Sequence, residues 1–335
     1  MNQEHEIVLY QMDDTNVCVN VIFENETFWL TQKAMAELFG CGSDNISLHL
    51  KNIYKDEELS EEATTEIFSV VQNEGNRQIK RKVTCYNLDA IIAVGYRVNS
   101  KKATKFRQWA TQTLKEYIIK GFVLNDDMMK NGKPFGKDYF DELLERIREI
   151  RASERRAYQK ITDIFEQCSY DFDKESDETK VFYAFVQNKL HYAVTGQTAA
   201  EIIYNRADAE LPTMGLTTWK DAPDGKILKR DVTVAKNYLS EKELKLLNRL
   251  VTMFIDHAEL MAEDGILMSM SDWIEQTNNF LKNIRRNVLE GKGTVSHDQA
   301  VEKANKEYEV FRVRQDREYV SQFDKAVEKY LKGED

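Results

Sequence analysis

The chain has 335 residues, 31% of them charged, with 42% apolar side chains and a formal net charge of −10. That length allows two or three domains of roughly 100–200 residues, each able to bury a core. No run approaches the roughly 20 apolar residues of a membrane span, and MNQEHEIVLYQMDD lacks the basic and apolar regions of a secretory signal. Cys18, Cys41, Cys85 and Cys168 are far apart with no C-x-x-C pair, which points to reduced thiols in a cytoplasmic protein.

Only three prolines occur, so long helices can run unbroken. In chain order, IVLYQ, VCVNVIF and TFWL within residues 6–30 alternate apolar and polar residues and predict half-buried strands. Thr31 stands where an N-cap belongs, ahead of a short helix QKAMAELF with Met35, Leu38 and Phe39 on one face. Gly40-Cys41-Gly42 predicts a turn. Ser43 or Asp44 can then cap a second helix, NISLHLKNIY, whose apolar face is Ile46, Leu50 and Ile53. After the acidic stretch 56–66, EIFSVVQ and QIKRKVTCY bracket the turn Asn73-Glu74-Gly75-Asn76 as a β-hairpin.

Helix, glycine turn, helix and hairpin wing is the order of a winged helix-turn-helix. Its expected partner is double-stranded DNA. Asn45, Ser47, His49, Lys51 and Asn52 are the side chains assigned to the outward face of the second helix, with Thr31, Gln32 and Ser43 beside them. Arg77, Lys80, Arg81 and Lys82 would hold phosphates from the wing. Residues 77–120 hold eleven bases and only Asp89 and Glu116, a local charge of +9 inside an acidic chain. The same bases could instead form a solvated helix surface, and the fold could serve protein contacts alone.

NLDAIIAVGYRV and SKKATKFRQWATQTLKEYIIKGF predict two amphipathic helices. In the second, Phe106, Trp109, Ala110, Leu114 and Tyr117 are expected to face the core. Gly121 ends it, and LNDDMMKNGKPFGKD reads as a linker. The expected organisation is therefore an α+β N-terminal domain over 1–122, a linker over 123–138 and an all-α C-terminal domain over 139–335.

A single long helix is expected from Tyr139 to Cys168, with Phe140, Leu143, Leu144, Ile147, Ile150, Tyr158, Ile161 and Phe165 near heptad period. That stripe makes either a homodimer seam or a face packed on its own domain. Further helices are expected over 180–193, 198–207, 232–238, 241–262, 271–288 and 297–331. Ser240 with Glu243 forms a capping box, and ELPTMGLTTWKDAPDGKI is the main irregular stretch.

WLTQKAMAELFG, YNLDAIIAVGYRVNSKKATKFRQWATQTLKEYIIKGF, FVQNKLHYAVTGQTAAEIIYNRADA, MGLTTWK and AKNYLSEKELKLLNRLVTMFIDHAE together resemble the RhuM family of bacterial virulence-associated proteins, over roughly residues 5–290. The resemblance implies a locus on a mobile or pathogenicity-associated region, sometimes beside restriction-modification genes, without implying a chemistry. The N-terminal module is also similar to segments fused to Fic-type domains. The H-x-F-x-[DE]-G-N-G-R string of those domains is missing from this sequence, so adenylyl transfer is not implied.

The residues that could carry chemistry are His191, Glu201, Arg206 and Asp208, with Thr195 nearby, and Asp256, His257 and Glu259. One histidine with several carboxylates could hold Mg²⁺ or Mn²⁺ for a metal-dependent nuclease. Adjacent helical residues diverge by about 100°, which works against a shared site at 256–259. The plainer reading makes His191 and His257 core or helix-end histidines and pairs Arg206 with Asp208. No phosphate-binding loop, dinucleotide-binding turn or nucleophile elbow occurs, and no cofactor is expected. The leading expectation is a DNA-binding regulator or targeting factor; a targeted nuclease and a protein-interaction adaptor are the alternatives.

Overall fold

The computed structural model describes residues 4–12, 15–24, 27–74, 77–131, 138–173 and 177–319. Side chains are described from Val21 onward, except at 70–80, 131, 154 and 177–180. The chain divides into two compact units, Met1–Phe140 and Asp141–Asp335. It is mainly helical with one small antiparallel sheet.

The first unit opens with strands β1 (Glu4–Met12), β2 (Thr15–Glu24) and β3 (Thr27–Thr31), where alternation predicts them. A register shift between Val8 and Tyr10 interrupts the β1–β2 ladder, the mark of a β-bulge. Helices α1 (Gln32–Phe39), α2 (Ser43–Lys55) and the short α3 (Glu61–Thr64) precede strands β4 (Thr65–Glu74) and β5 (Arg77–Tyr86). These two pair along their whole length, from Thr65 opposite Tyr86 to Glu74 opposite Arg77. β5 also reaches β3 through Leu30 opposite Tyr86, giving the order β1-β2-β3-β5-β4. Helices α4 (Leu88–Arg97), α5 (Lys101–Lys120) and α6 (Asp126–Asn131) complete the unit.

Local chemistry fixes the helix ends. Thr31 accepts from the Ala34 N–H as the N-cap of α1, and Gly40 ends that helix at φ 64°, a left-handed conformation that glycine adopts without cost. Asn87 and Ser100 cap α4 and α5. α2 departs from expectation: Gly42 is its N-cap, without a side-chain bond, and Ser43 and Asp44 lie in its first turn. The core gathers Met35, Phe39, Ile46, Leu50, Ile53, Ile91, Val94 and Phe106. Across the sheet, Ile22, Trp29, Phe68 and Cys85 form a second small cluster.

The expected run of core residues along α5 holds only for its first half. Ala103 and Phe106 are buried and Trp109 and Ala110 half-buried, whereas Leu114 and Tyr117 are exposed. The core of this unit ends before that part of the helix.

The second unit contains α7 (Phe140–Arg151), α8 (Glu154–Cys168), α9 (Asp177–Thr195), α10 (Ala199–Arg206), α11 (Glu241–Glu263), α12 (Met270–Asn283) and α13 (His297–Glu318). α7 and α8 replace the single helix expected over 139–168. The chain breaks at Ala152-Ser153, where Ser153 is extended at φ −63° and ψ 136°. Ala152 turns inward, and its freed carbonyl accepts from Lys236 Nζ at 3.3 Å. The break sends Ile161, Ile164, Phe165 and Cys168 into the core, so Ile161 and Phe165 of the expected dimer seam are buried within their own unit while Tyr158 stays exposed. α7 buries none of its residues and is joined to α11 by charge, through Glu145–Arg249 and Arg151–Asp256.

Between α10 and α11 the chain is mostly irregular, and only Ala235–Tyr238 of the helix expected over 232–238 forms, as a tight 3-10 turn. Side chains bond this segment in place of a helical ladder. Asn237 Nδ2 donates to the Asp231 carbonyl and the Tyr238 hydroxyl to the Val232 carbonyl, both at 2.8 Å. The helix expected over 271–288 stops at Asn283, two residues before Arg285 takes a left-handed φ of 58°. The part of the last expected helix beyond Tyr319 lies outside the described residues.

Candidate nucleic-acid interface

α2 is held from beneath by Ile46, Leu50 and Ile53, each no more than 2% exposed. At 100° per residue these three define its inner side. The opposite ridge then carries Asp44, Leu48, Lys51, Asn52 and Lys55, all exposed, with Asn45 at its edge. Ser47 and His49 fall on the flanks and are half-buried. Sequence reasoning placed those two outward and missed Leu48 and Lys55, because it assigned residues by polarity when the angle from the buried triad decides.

Two nearby candidates are engaged inside the fold. Thr31 caps α1, and Gln32 Nε2 donates to the Tyr86 hydroxyl at 2.7 Å, joining the start of α1 to the end of β5. The Tyr54 hydroxyl accepts from Thr64 at 3.2 Å and ties α2 to the entry of β4. The helix pair and the hairpin are thus fastened at their common base.

On the hairpin, strand alternation places Arg81 and Lys82 on opposite faces. The face of Arg81 also holds Phe68 and Cys85, and the face of Lys82 holds the exposed Ile67. Arg81 and Lys82 are exposed; the side chains of Arg77 and Lys80 lie outside the described residues. Arg81 and Lys82 therefore do not form one row.

The basic window is also partly neutralised. Arg97 pairs with Asp56 and Glu58, and those contacts raise its already high pKa. Arg107 donates to the carbonyls of Gly95 and Val98 at 3.0 and 2.9 Å, Lys102 to that of Glu37, and Lys120 pairs with Glu116. Lys82, Lys101 and Lys115 stay exposed.

In the second unit the residues considered for chemistry each have their own partners. His191 is 4% exposed and its Nδ1 lies 3.0 Å from the Gln187 carbonyl; burial pushes its pKa down to about 4. Thr195 Oγ1 donates to the His191 carbonyl. Glu201 closes a capping box with Thr198 and accepts twice from Thr294 at 2.7 Å. Burial pushes that carboxyl up, but the bonds from Thr198 and Thr294 outweigh it and hold it at about 2. Arg206 pairs with Glu243 and not with Asp208, which is exposed and accepts from the Glu210 N–H. Asp256 and Glu259 both bind Arg151, and His257 stacks on Phe280 at 5.8 Å. Among the described residues no group of three or more His, Cys, Asp or Glu could hold a metal ion. Sequence reasoning passed over Lys189, a cation 3% exposed that donates to the Leu289 carbonyl at 2.7 Å and sits over Phe185.

No described helix is long and apolar enough to cross a membrane. No curated protein matches the chain. A family model described as the virulence protein RhuM family matches residues 63–320, from just before β4 to the end of α13. It starts later and ends later than the stretch of resemblance in the sequence, and leaves α1 and α2 outside. With more than three quarters of its residues inside that match, the chain belongs to the virulence protein RhuM family.

Proposed function

We propose that residues 1–122 form a winged helix-turn-helix that docks on double-stranded DNA, making the chain a DNA-binding protein of a mobile or virulence-associated locus. It acts as a regulator or as a DNA-targeting factor. The observation that carries this reading is the orientation of α2. Ile46, Leu50 and Ile53 fix its inner side, and a polar ridge with two lysines is left outward. A helix of 13 residues is about 20 Å long, a suitable length for a major groove. Asn45 and Asn52 have the amide geometry that reads adenine, and Leu48 offers an apolar contact for a thymine methyl. Lys51 and Lys55, with Lys82 on the hairpin, supply phosphate contacts that set the register. The family description supports the genomic setting of the proposal.

Fluorescence anisotropy of the full chain with random duplex DNA at two salt concentrations tests the reading. Wild-type protein should bind at low salt and lose affinity steeply as salt rises. A Lys51→Glu/Lys82→Glu variant should bind all duplexes more weakly, with a log–log salt slope shallower by about 2, since each phosphate contact contributes about 0.9. If the wild type fails to bind any duplex at low salt, the proposal falls.

A further inference from the structure

The outer half of α5 carries an apolar surface that the first unit does not use. Past Trp109 the helix continues for some three turns, with Leu114 57%, Tyr117 59% and Ile118 71% exposed. These three stand at i, i+3 and i+4 and form one stripe. Beyond the left-handed Gly121, Phe122, Val123 and Leu124 are 54%, 40% and 44% exposed.

Six such side chains leave on the order of 600 Å² of apolar surface open, the upper end of what a soluble monomer shows. It approaches the roughly 800 Å² that each partner contributes to a standard interface. The polar residues beside the stripe do not hinder closure: Glu116 and Lys120 satisfy each other at 2.6 Å, and Lys115 lies to one side.

We infer that this surface is where two copies of the chain associate, α5 of one lying on α5 of the other about a two-fold axis. A two-fold contact requires a patch complementary to itself, and an apolar stripe free of unpaired charge meets that requirement. Its area and apolar character suit a protein partner better than a nucleic acid. The arrangement also suits the DNA reading. From Lys101 to Leu114 is about 20 Å of helix, and half-sites one turn apart place each reading helix about 17 Å from the axis. This seam stands in place of the one expected over 139–168, of which Ile161 and Phe165 are buried in their own core.

Sedimentation equilibrium of the full chain without DNA tests the inference separately from the DNA reading. Wild type should sediment at twice the chain mass. Leu114→Glu/Ile118→Glu should weaken association about 100-fold, and the milder Ile118→Ala about 10-fold. Both substitutions replace exposed residues, so far-ultraviolet circular dichroism should be unchanged. Ile147→Glu/Ile150→Glu, on the exposed side of α7, should leave the dimer intact. A monomeric wild type at ~100 μM, where a standard-sized interface is expected to be populated, would overturn the inference. So would α5 variants that stay dimeric, or a dimer lost only in the α7 variant.

Discussion

Arg206 and Glu243 are joined by two parallel charged hydrogen bonds, 2.8 and 2.7 Å long, and Arg206 reaches the Tyr238 carbonyl at 2.8 Å as well. Glu243 is at the same time the reciprocal member of the Ser240 capping box that starts α11. One carboxylate therefore links α10, the 3-10 turn and α11. The guanidinium, with the Ser240 bonds, outweighs the opposing effect of burial and leaves it with a pKa of about 2. Because the folded pKa lies below the ordinary value of 4.5, this stabilisation is fully present above about pH 4.5 and is lost as pH falls towards 2. Glu243→Gln should cost about 1–3 kcal/mol at neutral pH and flatten that acid limb, measured by urea unfolding at stepped pH. An acid limb identical to wild type would refute the assignment.

His191 gives the second pH window. It is buried neutral with a pKa of about 4, while an unfolded histidine titrates near 6.5. Below about pH 6.5 the unfolded chain takes up a proton that the folded one refuses, so stability declines until pH reaches about 4. The full effect is at most about 3 kcal/mol. His191→Leu should remove the slope between pH 6.5 and 4 in the same titration.

Gly95 is the most closely packed of the described glycines in the first unit. A Cβ there would meet Phe106 at 2.7 Å and Phe39 at 2.8 Å, closer than real contacts allow. Glycine thus lets α4 lie against the aromatic pair whose ring centroids are 5.3 Å apart. Gly95→Ala should destabilise this unit by about 1–3 kcal/mol, overpacking outweighing the better helix propensity of alanine. A thermal melt that is unchanged or raised would show that the rings can yield.

The elements legible in the sequence were those set by neighbouring residues. α1 follows from Thr31, its apolar spacing and Gly40; α11 from the Ser240 and Glu243 box; the strands from alternation. What escaped was decided by residues remote in sequence. The break at Ala152-Ser153 occurs in helix-forming sequence and depends on Lys236 meeting the freed carbonyl. The turn before α11 rests on Asn237 and Tyr238 bonding back to the backbone. In the candidate interface the triad Ile46, Leu50 and Ile53 was legible, but the outward ridge requires counting angles from it. Where the core beneath α5 would end had no signal in the sequence.

The ridge of α2 makes the last prediction. Asp44 is exposed in the first turn, where a negative charge stabilises the helix dipole but repels phosphate. Asp44→Asn should therefore tighten binding to random duplex about threefold to tenfold at low salt, with the gain fading as salt rises. Asn52→Ala should behave differently. An amide that reads a base edge contributes about 1–3 kcal/mol at its own position only, so this variant should relax preference at one base pair in a selection experiment while changing random-duplex binding little. No response to either substitution would mean that DNA does not lie along this ridge. The exposed face of α2 would then be open to a protein partner instead.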